Sequence, residues 1–179
     1  TDINGDESEI DFMHQVTNVQ YYENGDTKAV KLPYENGLSM VVVLGDTKNI
    51  LNDIHNGKMT SKLVEVTLPK IKAEYSIDYV NILKNMGIEK AFDYQNADFS
   101  LMLENYPERI KIDFVLQKAM IDVDERGTEA AAATVALVTK SALSVDEEVI
   151  EFKADKPFTY YILDDSGNVY FAGRYVKAE

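Results

Sequence analysis

The pattern of hydrophobic and polar residues along the chain predicts more strands than helices. Apolar and polar side chains alternate in five stretches, which is the period of a strand with one buried face. These stretches are residues 61–77, 110–123, 147–152, 158–163 and 169–176. The first predicts one long, half-exposed strand. Pro69 within it predicts a sheet edge or a bulge, because proline has no backbone N–H for the ladder.

Turn signals predict two strand-to-strand connections. The segment AVKLPYENGLSMVVVLG, residues 29–45, contains two runs rich in valine and leucine on either side of Asn36-Gly37. An Asn-Gly pair tolerates positive φ and is a strong hairpin signal. The residues Asp164–Gly167 predict a second turn, between the last two strands.

Two short helices are predicted from apolar residues at helical spacing. One covers Thr47–Ile54 and ends near Asn56-Gly57. The other covers Asp78–Met86 and ends at Gly87, since glycine is the usual residue just after a helix. The sequence therefore predicts a mainly β protein with a few helices.

Composition and charge narrow the class of protein. The 179 residues, 45% of them hydrophobic, have the length and apolar content of one globular domain. The net charge of -13 argues against nucleic acid and anionic membranes as partners, because both attract clustered lysine and arginine. No apolar stretch approaches the roughly 18 residues of a membrane span. There is no cysteine, so disulfides and thiolate chemistry are excluded.

The sequence contains no recognisable pattern of catalytic residues. The two histidines, His14 and His55, lie outside metal-ligand spacings such as HExxH, and we expect both at the surface. Residues 122–133 resemble a calcium loop only superficially. Arg126 occupies a ligand position, and Ala133 stands where a bidentate glutamate is required. We therefore expect neither an enzyme nor a protein with a cofactor or bound metal.

A run of small residues after position 127 fits two different structures. A capping Thr128, Glu129 in the first turn and four alanines favour a helix over residues 128–137. The β-branched residues of TVALVT, at 134–139, favour an extended chain instead. As a strand, the segment has one face of small side chains: Thr128, Ala130, Ala132, Thr134, Ala136 and Val138. Such a face suits a strand that enters between two existing strands and forms only conditionally.

The chain resembles the serpins, a family of serine protease inhibitors, through short motifs in family order. Residues 124–134, DERGTEAAAAT, resemble the serpin hinge, where the reactive-centre loop begins. The other motifs are LPY and LSM within residues 32–40, LPK at 68–70, MGI at 86–88, ADFS at 97–100, ADKPF at 154–158 and FAGR at 171–174. The resemblance extends over residues 11–176. It implies an α+β, predominantly β fold, the C-terminal half of a serpin with mixed sheets and a mobile loop.

The resemblance implies an inhibitor of serine endopeptidases, with cysteine endopeptidases as a further class. In serpins the protease cleaves the loop and forms an acyl-enzyme, and the freed loop then inserts into the central sheet and distorts the protease. The residues that the resemblance assigns to the hinge are Glu125, Gly127, Thr128, Glu129, Ala130, Ala131, Ala132 and Ala133. Residues 1–179 would then be part of one serpin domain, with the loop at about 125–147.

The resemblance also locates the reactive bond. Counting from Gly127 as the fifteenth residue before the bond places it after Ser141, and counting back from the next strand allows one or two residues later. The scissile region is therefore Lys140, Ser141 and Ala142. Lys140 suits a trypsin-like pocket with an acidic base, whereas Ser141 and Ala142 suit elastase-like or subtilisin-like enzymes. Lys140 as an ordinary surface lysine is the alternative.

Two departures from the serpin pattern concern sheet closure and length. Serpins usually carry histidine in the strand before the hinge, where it helps to close the central sheet. The matching residue here is Gln117, whose amide also donates and accepts hydrogen bonds. A complete serpin is roughly twice as long, so the resemblance implies that the N-terminal half is a companion chain or part of a larger parent.

Other implications and alternatives remain open at this point. A strand that can enter its own sheet can also enter a neighbour's, so loop-sheet polymers can form. The family resemblance favours an extracellular or cell-surface location. A non-inhibitory serpin acting as a carrier or chaperone would be cleaved as a substrate without trapping the protease. A generic β-rich binding domain would instead carry a packed helix at residues 128–138.

Overall fold

The computed structural model describes residues 4–6, 9–102, 109–125, 127–128 and 148–176. Within them the chain forms ten strands, two α-helices and two 3-10 helices. The strands are β1 Phe12–Asn24, β2 Thr27–Pro33, β3 Leu38–Leu44, β4 Thr60–Pro69, β5 Ile71–Asp78, β6 Leu116–Asp124, β7 Gly127–Thr128, β8 Ile150–Lys153, β9 Phe158–Asp164 and β10 Val169–Tyr175. The helices are α1 Ile50–His55 and α2 Val80–Asn85, and the 3-10 helices are Lys90–Phe92 and Ser100–Met102.

Seven of the strands form one mixed sheet, in the order β10-β9-β3-β2-β1-β4-β8. Every neighbouring pair is antiparallel except β4 and β8, which run parallel. This mainly β, mixed-sheet architecture with few helices confirms the predicted fold class.

The predicted hairpin is confirmed at the centre of this sheet. β2 and β3 pair from Lys28 with Leu44 to Pro33 with Ser39, and Gly37 in the connecting turn has a φ of 80°. Val41, Val42 and Val43 are all fully buried, so β3 is covered on both faces. A strand buried on both faces requires a continuous run of apolar residues and not a strict alternation of apolar and polar ones.

A compact cluster lies where α1 packs on the sheet. Its buried members are Tyr22, Ala29, Val41, Val43, Ile50 and Leu163, with Ile54, Met59 and Tyr161 packed against them. The buried members come from α1 and from strands β1, β2, β3 and β9, and Met59 lies between α1 and β4. The helix is only six residues long, so its stability depends on this packing and not on helix propensity.

A second compact unit comprises Lys72–Ile121 and contains most of β5, α2 and most of β6. Asp78 is the exposed last residue of β5. One carboxylate oxygen of Asp78 accepts hydrogen bonds from the backbone N–H of Val80, at 3.1 Å, and of Val115, at 3.0 Å. The backbone N–H of Tyr79 donates to the carbonyl of Val115. These bonds connect the start of α2 to the chain that leads into β6.

The structure differs from the predicted elements in three places. Residues 61–77 form two strands in different sheets, because the chain leaves the seven-stranded sheet after Pro69, and Pro69 is the buried last residue of β4. The strand predicted at 110–123 begins only at Leu116. β1 was not predicted, although it pairs with both β2 and β4. Both helices are confirmed, although each is shorter than predicted.

Candidate functional site

The chain reverses direction immediately after β6, at the segment that resembles the serpin hinge. β7 consists of Gly127 and Thr128 and pairs antiparallel with the end of β6. The opposed residues are Asp124 with Gly127 and Val123 with Thr128. The three-stranded sheet has the order β5-β6-β7, so the hinge begins a new strand alongside β6. Thr128 therefore lies in a strand and not at the cap of a helix.

An ion pair holds the start of the hinge. The Nζ of Lys70 lies 2.8 Å from a carboxylate oxygen of Glu125, and each side chain is about half exposed. The hydrogen bond from Lys70 lowers the pKa of Glu125, and the same bond raises the pKa of Lys70. Asp11 and Asp124 also raise the pKa of Lys70, which shows that one cation lies among three carboxylates. Lys70 connects the end of β4 to the hinge.

The structure describes only part of the predicted site. Gln117, predicted to close the sheet, is an exposed residue near the start of β6. Glu125, Gly127 and Thr128 are brought together at the turn between β6 and β7. The remaining predicted hinge residues Glu129, Ala130, Ala131, Ala132 and Ala133, and the predicted scissile residues Lys140, Ser141 and Ala142, lie outside the described residues.

Downstream of that segment the chain enters the seven-stranded sheet through β8. Ile150, Glu151, Phe152 and Lys153 pair in parallel with residues Val64–Thr67 of β4. Phe152 is completely buried. The backbone N–H of Ala154 donates to the carbonyl of Thr67 at 2.9 Å, which adds one more bond to the same edge. The segment that contains the predicted scissile region therefore leads from one sheet into another.

Metal binding finds no support in the described ranges. They contain no group of three histidine, aspartate or glutamate side chains placed to hold a metal ion. His14 and His55 are exposed, as predicted. Among the helices of these ranges, none is both long and apolar enough to cross a membrane.

One buried carboxylate lies away from the predicted hinge, within α1. Asp53 is only 6% exposed. It accepts hydrogen bonds from the Nζ of Lys58, at 2.7 Å, and from the hydroxyl of Tyr22, at 2.6 Å. These two bonds lower the pKa of Asp53. The carboxylate therefore remains ionised and fixes α1 to β1, which is a structural role.

The sequence did not predict the role of Lys70. Lys70 precedes Glu125 by more than fifty residues, and only the fold brings the two together. The one available signal was indirect, since Lys70 lies in the LPK motif and Glu125 lies in the hinge motif. An ion pair between two such motifs cannot be derived from the spacing within either.

Comparison with known proteins gives one family. The model of the family Serpin (serine protease inhibitor) matches residues 2–178. An uncharacterised serpin-like protein of Thermococcus kodakarensis is 36% identical, over 92% of this chain and 41% of its own length. Serine proteinase inhibitor 2 of cowpox virus is 35% identical, over 84% of this chain and 46% of its own length. The chain thus spans less than half the length of these curated relatives.

Solved structures agree with the sequence comparisons. The native-state crystal structure of tengpin, a thermophilic serpin, has a TM-score of 0.79 and 30% identity, and the match covers 99% of this chain and 49% of tengpin. Serpin48 from the insect Tenebrio molitor has a TM-score of 0.72 and 30% identity, with 100% and 50% covered. The chain therefore has the fold of about half of each of these two larger structures.

Proposed function

The chain belongs to the serpin family, and on that premise we propose that it inhibits serine endopeptidases by inserting its cleaved reactive-centre loop as a further strand next to β6. The observation that carries the proposal is the pairing of Gly127 and Thr128 with the end of β6. This pairing forms the start of the strand that insertion would lengthen. The protein would therefore act as a suicide substrate, and catalysis would come only from the protease.

The observed register supports insertion of the small-residue face. Val123 and Thr128 lie opposite each other, and opposed residues of an antiparallel pair share a face. Continued in the same register, Ala130 would lie opposite Ile121 and Ala132 opposite Ala119. Val123 and Ile121 are both buried, so the inserted residues on this face must be small.

On the other face of the inserted strand, the residues would lie opposite solvent-exposed residues of β6. In the same register Glu129 would lie opposite Asp122, which is exposed on β6. A carboxylate on this face keeps its hydration, whereas on the other face it would be buried without a partner. The alternation of small and larger residues after Gly127 therefore agrees with the orientation that β7 sets.

Gln117 would contribute to the same ladder. If the inserted strand continued this register, Thr134 would lie opposite Gln117, and a hydroxyl and an amide can form a cross-strand hydrogen bond. We propose this pair as the contact that replaces the usual histidine of sheet closure. Each further hydrogen bond of the ladder contributes about 0.5–1.5 kcal/mol net, so about ten of them contribute on the order of 10 kcal/mol. That is comparable with the stability of an ordinary domain.

The proposed bait is the bond within Lys140–Ala142. Lys140 would direct a trypsin-like protease and Ser141 an elastase-like or subtilisin-like one. The relative from cowpox virus bears the name serine proteinase inhibitor, which supports a serine endopeptidase as the class of target.

We propose that the rest of a serpin fold covers the apolar surface that this chain exposes. β10 exposes Val169, Tyr170 and Phe171, and β6 exposes Leu116 and Met120. Large apolar side chains grouped on strands are typical of surfaces buried by a partner. Left uncovered, these strands and their edges would favour loop-sheet polymers between molecules.

The experiment mixes the chain, together with its N-terminal half, separately with a trypsin-like and a subtilisin-like protease. Denaturing gels then test for a covalent complex, and mass spectrometry measures the released C-terminal peptide. We expect a complex that resists denaturant and a peptide that begins at Ser141 or Ala142. Complete cleavage without any complex would overturn the inhibitory mechanism and would favour the non-inhibitory alternative. A peptide that begins elsewhere would relocate the bait.

A further inference from the structure

Four Asn-Gly pairs occur in the chain, and their backbone environments differ. The pairs are Asn4-Gly5, Asn24-Gly25, Asn36-Gly37 and Asn56-Gly57. Each glycine has a positive φ. In such a pair the glycine nitrogen has no neighbouring Cβ to hinder its approach to the asparagine side chain. Attack of that nitrogen on the side-chain carbonyl forms a cyclic imide, so each pair is a chemical candidate for deamidation.

In the Asn36-Gly37 pair, a hydrogen bond to the asparagine side chain favours attack by the glycine nitrogen. The backbone N–H of Leu38 donates to Oδ1 of Asn36 at 3.2 Å. When the Gly37 nitrogen adds to Cγ, negative charge develops on this same Oδ1. A backbone donor aimed at a developing oxyanion lowers the barrier to addition. Asn36 and Gly37 are both exposed, so water can reach the product ring.

The hydrogen bonds at Asn56 and Asn24 differ from the one at Asn36 and do not favour the reaction. The backbone N–H of Gly57 donates to the carbonyl of Ile54 at 3.0 Å, and that of Asn56 donates to Asn52, both at the end of α1. Attack by the Gly57 nitrogen would break the first of these bonds. The side-chain amide of Asn24 donates to the hydroxyl of Tyr22 at 3.4 Å, which engages its nitrogen and leaves its oxygen without that activation.

We propose that Asn36 is a site of spontaneous deamidation in the folded protein, selected over Asn56 by the hydrogen bond from Leu38. The bond between the Gly37 nitrogen and Cγ of Asn36 forms, and the Gly37 amide proton is lost to water. The Asn36 amide nitrogen takes up a proton from water, and its bond to Cγ breaks as it leaves as ammonia. Water then opens the imide at either carbonyl and gives aspartate or isoaspartate. The net reaction consumes one water and releases one ammonia.

The modification changes the turn between the two central strands. The product adds one negative charge beside Glu35 in a chain whose net charge is already -13. Isoaspartate also lengthens the backbone by one bond, between the last pair of β2 and β3, Pro33 with Ser39, and the tip of the hairpin. The backbone N–H of Tyr34 donates to the carbonyl of Leu38 at 2.8 Å, and this bond is the one that isoaspartate would strain first.

The test compares two peptides from the same molecules. The folded protein is incubated at neutral pH, and a second sample is incubated in concentrated urea. Trypsin then yields Leu32–Lys48, which contains only Asn36 of the four pairs, and Asn49–Lys58, which contains only Asn56. Mass spectrometry follows the fraction of each peptide that has become one mass unit heavier. Chromatography separates the isoaspartate form from the aspartate form.

We expect Asn36 to react at least about tenfold faster than Asn56 in the folded protein, which is a lower bound because one donor to a developing oxyanion changes the rate by about 10²–10³-fold in an enzyme. In urea the two rates should become similar, because both are Asn-Gly pairs without structure. Similar rates in the folded protein would overturn the proposal. The same preference for Asn36 in both samples would also overturn it, since local sequence and not the Leu38 contact would then be the cause.

Discussion

Replacing Gly173 by alanine tests how closely β9 and β10 pack. Gly173 lies opposite Tyr160 in the register of these two strands. A Cβ at position 173 would lie 2.2 Å from both Cζ and the hydroxyl oxygen of Tyr160, and 2.8 Å from a ring carbon. Ordinary van der Waals contact begins at 3.4 Å. The Tyr160 ring must therefore move by about 1.2 Å to accept one methyl group.

Little room exists for that movement. Tyr160 is only 8% exposed, and burial raises its pKa. On the side away from β10, Tyr160 lies opposite Val42 of the neighbouring strand β3, and Val42 is fully buried. Inserting a methyl group into a well-packed region costs about 1–3 kcal/mol through shifted rotamers and backbone. We expect Gly173→Ala to lower the free energy of unfolding by that amount.

The assay is urea unfolding followed by tyrosine fluorescence, because the chain has 11 tyrosines and no tryptophan. The matched control is a double-mutant cycle with Tyr160→Ala, which removes the ring that the methyl group would meet. In the Tyr160→Ala background, Gly173→Ala should cost less than about 0.5 kcal/mol. An equal cost in both backgrounds would refute the steric argument and would place the effect in the backbone of β10.

Three further predictions concern the hinge and the buried carboxylate. Thr128→Arg should turn the proposed inhibition into simple cleavage of the loop, because insertion would place a charged side chain opposite Val123, which is buried; an unchanged yield of covalent complex on a denaturing gel would contradict this. Lys70→Glu should accelerate loop insertion, measured by uptake of a synthetic hinge peptide, and adding Glu125→Lys should restore the original rate because the pair re-forms with reversed charges; no restoration would exclude the ion pair as the cause. The pKa of Asp53 is lower in the folded protein than its unfolded value of about 3.9, so its stabilisation is present above that pH and is lost as pH falls through the folded-state pKa. Asp53→Asn should therefore lower Tm at neutral pH and flatten the acid dependence of stability, and an unchanged acid profile would count against this role.

Local signals explain which elements the sequence could predict. The hairpin at Asn36-Gly37 depends on a turn that only a few residues define, and its strands follow directly. At the boundary between β4 and β5, Pro69 predicts an edge or a bulge but not a change of sheet, because apolar and polar residues keep the same period on both sides of Lys70. Alternation shows which side chains share a face, but it does not show which sheet a strand joins.

The missed strand and the missed ion pair have related physical causes. β1 exposes most of its first half, so its apolar residues are too few to give a period. Its place in the sheet is fixed by pairing with β2 and β4. The contact between Lys70 and Glu125 likewise forms only when distant segments pair. For the site, the motif predicted Glu125, Gly127 and Thr128 as hinge residues, which stays a prediction, but only the tertiary structure shows Lys70 as the partner of Glu125.

The position of β9 determines what remains of the molecule after proteolysis. β9 lies between β3 and β10, and β8 pairs with β4. The last three strands are therefore all hydrogen-bonded members of the seven-stranded sheet. A cut within the proposed bait would sever the covalent chain without removing any of these pairings. The cleaved protein should therefore behave as a non-covalent two-chain particle. It would elute as one species under native conditions, and its short chain would separate only on denaturation.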